Sequence, residues 1–296
     1  MQGFVELYSE RRAPPFIGYN LDYRDAKAVI LGIPYDSGST YVPGCRLAPP
    51  TIREVSHNLE TFDPLFGVDA TELPIADIGD VQEILSPNRM IEVTSRIAGE
   101  LAGMGKVLVA IGGDHSITIG LIRGLGEIRR NLSLIIFDAH LDLRDEYPSG
   151  ERISHATVMR RLRESSCVDR LLIVGVRGVS REEVEIAMRD DAIDAVYAWA
   201  SLRELEDALS TISGPCYVSV DVDVLDPSIA PGVSCPEPGG FSYTQLRQLL
   251  LRALEADVIG LDVVEVNPLL DVNNLTSYVA ARLLMSSLLK LVPRKP

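Results

Sequence analysis

The stretch LSLIIFDAHLD, Leu132 to Asp142, decides how this chain folds. From Leu132 to Phe137 it is apolar apart from Ser133, without polar alternation. Such a run reads as a strand buried on both faces, as in a parallel sheet covered by helices. Its character then changes, and Asp138, His140 and Asp142 follow at every second position. In open α/β sheets the ligand crevice lies beyond the carboxyl ends of the strands. The point where the apolar run stops is therefore where chemistry is expected.

Similar runs recur: AKAVILGIP (26–34), KVLVAIGG (106–113), RLLIVGVRG (170–178), DAVYAW (194–199), PCYVSVDVDV (215–224) and ADVIGLDVVEV (256–266). Between them lie helical patterns. NRMIEVTSRIAGELAGM (88–104) spaces its apolar residues helically and carries glycine near its end; SLRELEDALSTIS (201–213) and YTQLRQLLLRALEA (243–256) behave alike. Ser201 stands three residues before Glu204, a capping-box spacing. Strands alternating with helices predict an α/β fold, with a mainly parallel sheet between helical layers and right-handed crossovers. No long linker, repeat or low-complexity block divides the 296 residues, so a single domain over 1–296 is expected. The tail SSLLKLVPRKP (286–296) is expected to close a last helix and then fray.

Composition narrows the function. Hydrophobic residues make up 46 % and charged residues 24 %, close to the soluble globular average. No apolar run reaches the ~18 residues of a membrane helix, and MQGFVELYSERRAPP at the N-terminus lacks the apolar core of a signal peptide. A cytoplasmic location with no membrane partner is expected. The formal net charge of −14 argues against nucleic acid, whose phosphates require an excess of Lys and Arg, and would draw in a small cation. Cys45, Cys167, Cys216 and Cys235 lie far apart with no C-x-x-C spacing, as reduced thiols do.

Four strand ends carry the candidate chemistry: VAIGGDHS with Asp114 and His115, FDAHLD with Asp138, His140 and Asp142, SVDVDVLDP with Asp221 and Asp223, and DVVEVNP with Glu265. Side chains two apart on an extended strand share a face. Asp138, His140 and Asp142 are expected to converge on that basis, as are Asp221 and Asp223. A solvated strand face is the plain alternative, but the preceding residues are apolar on both faces. Aspartates about 4 Å apart repel by roughly 4 kcal/mol per pair at an effective dielectric near 20. Either their pKa values rise or cations neutralise them. Two divalent ions match four carboxylates, and His115 and His140 add one nitrogen to each. Oxygen-rich ligands with two imidazoles and no sulfur suit Mn²⁺, with Fe²⁺, Co²⁺, Ni²⁺ and Zn²⁺ as alternatives. A water held between two such ions loses a proton near neutral pH and becomes a nucleophile. No G-x-S-x-G motif points to a serine instead. Glu265 beside such a centre is suited to hold a planar guanidinium; its plain alternative is a structural acid paired with an arginine.

Taken in order, GGDHS, DAHLD, SVDVDVLDP and EVNP resemble the ureohydrolase family of arginases and agmatinases, from about Val29 to Leu288. PGCRLAPPTIRE (43–54) is similar to the family's loop after the first strand, and ISHATVMRR (153–161) resembles the agmatinase branch. The resemblance implies a three-layer αβα sandwich, a homo-oligomer (trimer or hexamer) and two Mn²⁺ per chain. His115, Asp138, Asp142 and Asp221 would hold one ion; Asp138, His140, Asp221 and Asp223 would hold the other. It further implies that Asp142 orients the attacking oxygen, that His155 delivers a proton to the leaving amine and that Glu265 grips the guanidinium. Asp114 would orient the ligands from behind. His57 lies outside the strand-end clusters and is read as a helix or loop residue with no catalytic part.

The implied activity is hydrolysis of a small cationic guanidino compound to urea and an amine. Agmatine, giving putrescine in polyamine biosynthesis, is preferred. The loop LRDEYPSGERISHATV (143–158) offers Asp145, Glu146 and Glu151 but no Asn. Acids there favour a cationic distal group over arginine's carboxylate, while Ser149 and Arg152 keep arginine or another guanidino acid open. More distant rivals are a single-zinc deacylase of the same general fold and a non-catalytic binding protein. The presence of both His115 and Asp142 argues for two ions, and the full ligand set argues against a degenerate member.

Overall fold

The computed structural model describes residues 3–292. Its strands are β1 (Ser9–Glu10), β2 (Ala28–Gly32), β3 (Phe62–Asp63), β4 (Val68–Asp69), β5 (Ile75–Val81), β6 (Val107–Ile111), β7 (Leu132–Phe137), β8 (Val168–Val176), β9 (Ile193–Tyr197), β10 (Pro215–Asp221) and β11 (Asp257–Val264). Its α-helices are α1 (Phe4–Tyr8), α2 (Ala48–Ser56), α3 (Pro87–Gly103), α4 (Ile117–Ile128), α5 (Val158–Arg163), α6 (Arg181–Arg189), α7 (Leu202–Leu209), α8 (Tyr243–Ala253) and α9 (Leu275–Leu291). Strands β2 and β6 to β11 are the expected apolar runs. Nine strands form one sheet in the order β1-β5-β2-β6-β11-β10-β7-β8-β9. Its pairings are parallel except at the edge, where β1 runs antiparallel to β5.

Strand side chains alternate between two cores. Ile30, Val109, Ile135, Val218 and Leu261 face one way and pack against α2, α7, α8 and α9. Val29, Leu108, Leu134, Tyr217 and Val264 face the other way, toward α3, α4 and α5. The result is the expected sandwich of helices, sheet and helices. Each fully buried Leu, Ile or Val contributes about 1.5–3 kcal/mol, which is why uninterrupted apolar runs were readable as strands. The expected capping box at α7 is present, with Glu204 N donating to Ser201 Oγ at 3.3 Å and Ser201 N donating to Glu204 Oε2 at 2.8 Å. The last helix, α9, ends at Leu291; the expected fraying of 293–296 lies outside the described residues. All four cysteines are unpaired thiols. Among the described residues no helix is long and apolar enough to cross a membrane.

Strand β5 was not expected, because IADIGDV carries Asp77, Gly79 and Asp80. Those acids are buried beside Arg53 of α2, which is itself 1 % exposed. Arg53 Nε donates to Asp77 Oδ2 at 2.7 Å, Nη2 to Asp77 Oδ1 at 3.0 Å and to Gly79 O at 2.9 Å, and Nη1 to Asp80.

The chain runs from β6 to β7, yet β11 and β10 lie between them in the sheet. This interruption makes a topological switch point, where a crevice opens beyond the strand ends. The carboxyl ends of these four neighbouring strands lead directly to His115, Glu265, Asp221 and Asp138.

Candidate metal centre

The ligand-bearing residues reach one place by turns as much as by strand alternation. Strand β7 stops at Phe137, and His140 N then donates back to Asp138 Oδ1 at 2.6 Å. Asp142 adopts a left-handed backbone with φ 50°. Strand β10 stops at Asp221, and a 3₁₀ turn follows over Val222–Val224. Asp221 Oδ1 caps that turn by accepting from Asp223 N at 2.8 Å. The expectation that Asp221 and Asp223 meet along an extended strand is therefore corrected: a capped turn brings them together, because a short acidic side chain readily satisfies the backbone N–H two residues on. Glu265 is likewise left-handed, with φ 66°, a conformation that costs a non-glycine residue on the order of 1–3 kcal/mol and clusters at functional sites.

His115 is fully buried. Its backbone N donates to Glu265 Oε1 at 2.8 Å, and its Nε2 lies 3.0 Å from Ser219 Oγ. Ser219 Oγ donates to Asp262 Oδ1 at 2.5 Å, which leaves the serine oxygen to accept from Nε2–H. Asp262 also accepts from Thr118 Oγ1 at 2.7 Å and Tyr217 OH at 2.8 Å. This network fixes the ring with the Nδ1 lone pair turned to the carboxylates, as a metal-ligating imidazole requires. On the other side His140 Nδ1 lies 2.9 Å from Asp223 Oδ2, while Asp223 Oδ1 accepts from Ala139 N at 3.0 Å. Gly178 backs this ring, since a Cβ there would stand 2.9 Å from His140 Cδ2 and from Glu237 Cγ.

Two groups of ligating atoms result, each compact enough for one ion: His115, Asp138 and Asp142, and Asp138, His140 and Asp223. Asp138 belongs to both. Asp221 Oδ2 lies 3.4 Å from His115 Nδ1, beside the first group. His115 Nδ1 stands 3.2 Å from Asp138 Oδ2 and from Asp142 Oδ2. Even so, His115 Nδ1 and Asp138 Oδ2, both buried, have no aligned hydrogen-bond partner. Leaving a buried polar atom unsatisfied costs about 1–3 kcal/mol, and a cation among these atoms would satisfy both. The donor set thus fits divalent metal.

The electrostatics are those of a site that demands positive charge. Burial, with the charge of Asp138 beside it, pushes the Asp142 carboxyl up to about 7. Burial and the charges of Asp223 and Asp138 carry Asp221 well above its ordinary range. Burial would also raise Asp138, but the imidazoles of His115 and His140 outweigh it and hold that carboxyl low. Conversely, burial disfavours charge on both rings, yet the surrounding aspartates raise His115 and His140 far above the usual imidazole range.

Glu265 and His155 stand beside these groups, with His155 Nδ1 3.6 Å from Glu265 Oε1. Burial opposes charge on both, but each stabilises the other: Glu265 falls below its usual value and His155 is pushed up to about 9. Cys45 Sγ donates to Glu265 Oε2 at 3.5 Å. Asp114 does not reach the ligand side chains, contrary to expectation. Its Oδ2 accepts from Gly38 N at 2.7 Å and its Oδ1 from Ser116 N at 2.9 Å, so it pins the loop over the site. His57 Nε2 lies 2.9 Å from Pro15 O, away from the centre.

A cavity of about 450 Å³ opens over the ligands, lined among others by Thr40, Arg144, Tyr147, His155, Glu183, Glu237 and Glu265. Asp145, Glu146 and Glu151 do not line it. Asp145 is held by Arg161 Nη2 at 2.5 Å and Arg152 Nη2 at 3.4 Å, and Glu146 Oε2 accepts from Gly150 N at 3.0 Å. Ser149 and Arg152 are exposed and equally outside the cavity. The sequence-based assignment of the distal charges to Asp145, Glu146 and Glu151, or to Ser149 and Arg152, is therefore corrected, although the loop does line the wall through Arg144 and Tyr147. The charges of that wall are Arg144, Glu183 and Glu237, and the Arg144 guanidinium lies 4.6 Å over the Tyr147 ring and, through Nε, 3.7 Å from Glu183 Oε2. Sequence reasoning also missed Thr40, Ser219, Asp262 and Gly178. The one available signal was Asp262, an acid inside an otherwise apolar strand.

The family model described as "Arginase family" matches residues 26–290. An agmatinase from Pyrococcus horikoshii is 36 % identical over 277 residues, covering 89 % of this chain and 92 % of its own. An agmatinase from Bacillus subtilis is 32 % identical over 293 residues, covering 98 % and 99 %. Among solved structures, the agmatine ureohydrolase of Thermoplasma volcanium superposes with a TM-score of 0.85 at 32 % identity, covering 94 % of each chain.

Proposed function

The chain belongs to the arginase family of ureohydrolases, and from that premise we propose that it hydrolyses agmatine to urea and putrescine at a centre of two Mn²⁺ ions. The observation that carries the reading is the pair of ligand groups sharing buried Asp138, with two orphaned atoms between imidazole and carboxylate. His115, Asp138 and Asp142 would hold one ion and Asp138, His140 and Asp223 the other, with Asp221, beside His115, available as a further carboxylate ligand. Divalent ions bound there supply the charge that lets water lose a proton near neutral pH and that stabilises a tetrahedral carbon. Asp142 orients the attacking oxygen. Glu265 receives the guanidinium, because its Oε2 meets only a weak thiol donor and stays able to accept a charge-assisted hydrogen bond. His155, held by Glu265, protonates the nitrogen that leaves.

Agmatine is supported by the distal wall, whose lining carries two carboxylates, Glu183 and Glu237, and one guanidinium, Arg144. Arg144 itself favours a second reading, a guanidino acid whose carboxylate it would pair with. Urea release with Mn²⁺, compared across agmatine, arginine and 4-guanidinobutyrate, tests both. The expected order places agmatine first in kcat/KM. Guanidinobutyrate in first place would transfer the role to Arg144. His140→Ala is expected to remove urea release from every substrate; release that persists would refute the metal centre. The homo-oligomeric state and a cytoplasmic location belong to the same proposal.

A further inference from the structure

We propose that Thr40 is a positioning residue for His155, setting which ring nitrogen carries the proton and relaying a proton between Nε2 and the cavity. The inference rests on the reading above, in which His155 protonates the departing amine. Thr40 lies on the loop that joins β2 to α2, far from His155 in sequence. It meets His155 Nε2 twice: its backbone N lies 3.3 Å away and its Oγ1 2.7 Å away. An amide N–H can only donate, so the neutral ring keeps its lone pair on Nε2 and its proton on Nδ1, toward Glu265 Oε1. The hydroxyl, by contrast, rotates: it donates to a neutral Nε2 and accepts from a protonated one. Thr40 also lines the cavity.

The surroundings hold this contact in place. His155 N donates to Gly38 O at 3.1 Å, and Gly38 N donates to buried Asp114 Oδ2 at 2.7 Å. Gly44 N donates to Asp36 Oδ2 at 2.8 Å, closing the same loop on itself. Loop and histidine are therefore one unit.

The step balances without another reactant. His155 takes up a proton released by the attacking water. As the bond between the central carbon and the alkyl-bearing nitrogen breaks, its electron pair stays on that nitrogen. Thr40 Oγ gives its proton to the nitrogen and takes the one from His155 Nε2, so the amine departs neutral; the proton still on the central oxygen leaves to solvent as the urea carbonyl forms, and the freed amine takes one up there. Guanidinium plus water becomes urea plus alkylammonium.

The test uses the full-length, Mn²⁺-loaded protein with agmatine. Thr40→Val is expected to lower kcat about 10- to 100-fold with KM little changed, and Thr40→Ser to restore most of it. In a His155→Asn background, Thr40→Val is expected to have no further effect, a non-additivity that a merely structural role would not produce. A Thr40→Val enzyme with wild-type kcat, or losses that multiply, would overturn the inference alone. Wild-type protein that releases no urea from agmatine would overturn the parent reading with it. A readout that needs no variant is the ¹⁵N spectrum of the metal-free protein at alkaline pH: the Nδ1–H tautomer of His155 is expected, and the Nε2–H tautomer would sink the assignment.

Discussion

The molecule buries two clusters of aspartates, and they differ in where their positive charge comes from. In the first, Asp77 and Asp80 of β5 close on Arg53, and the guanidinium's donors are spent on Asp77, Asp80 and Gly79. The cluster is buried and takes no part in lining the cavity over the strand ends. In the second, Asp138, Asp142, Asp221 and Asp223 are met by imidazoles and backbone N–H groups, two atoms remain orphaned, and a cavity opens above. Equal burial of acid thus has opposite meanings. An acid cluster answered from within the chain is architecture, and one that waits for charge from outside is a binding site.

The largest effect that separates the two is on stability. Arg53→Met keeps the bulk but leaves two carboxylates buried without a cation, which is expected to cost about 3–5 kcal/mol. Chemical denaturation of the metal-free protein measures it, and kcat of the folded fraction should be unchanged. A variant that lost less than a kilocalorie or so would mean that water or another cation reaches the β5 cluster, and the contrast would fail.

A smaller effect is expected behind the metal centre. Ser219→Ala removes the acceptor that fixes His115 Nε2–H and unlinks the ring from Asp262. Loss of such a supporting hydrogen bond typically weakens metal binding about 10- to 100-fold. Mn²⁺ titration of the metal-free variant would show it, with denaturation of that same form little altered. If affinity stayed at the wild-type level, the ring would be held by its surroundings rather than by the serine.

The same contrast explains what the sequence disclosed. Apolar runs such as LSLIIF had no role except burial on both faces, so seven of the nine strands of the large sheet were legible. Strand β5 was not, because its acids are acceptable only beside Arg53, 24 residues away from Asp77. The ligand residues stood out because charge at a buried strand end has no structural reason of its own. How they converge was hidden: neither the left-handed backbone at Asp142 nor the capped turn after Asp221 leaves a mark in side-chain spacing. Partners joined by chain crossings were the least legible. Thr40 and His155 are 115 residues apart, and Ser219 and His115 are 104. The acids of the 143–158 loop misled for the converse reason. Asp145 looked free in sequence, yet Arg161 and Arg152 claim it.

The subtlest expected difference between the clusters is with pH. In the metal-free protein Asp142 titrates near 7, and Asp221, His115 and His140 are all raised. A raised carboxyl holds its proton in the folded state through the range between its ordinary value near 4 and 7, so the metal-free fold gains stability as pH falls across that window. A raised histidine contributes stability in the same direction, fully present below its ordinary 6.5 and lost as pH climbs toward the folded value. Metal binding must expel these protons, so its sign is opposite: affinity should rise about tenfold per pH unit for each proton released. Thermal unfolding with Mn²⁺ and with chelator, at pH 6, 7 and 8, reads both at once. The Mn²⁺-induced gain in Tm should widen as pH rises, and subtracting the two curves cancels titrations elsewhere, including any at the Arg53 cluster. A gain that stayed flat from pH 6 to 8 would mean that the strand-end acids are already ionised without metal, and that the two clusters are electrostatically alike.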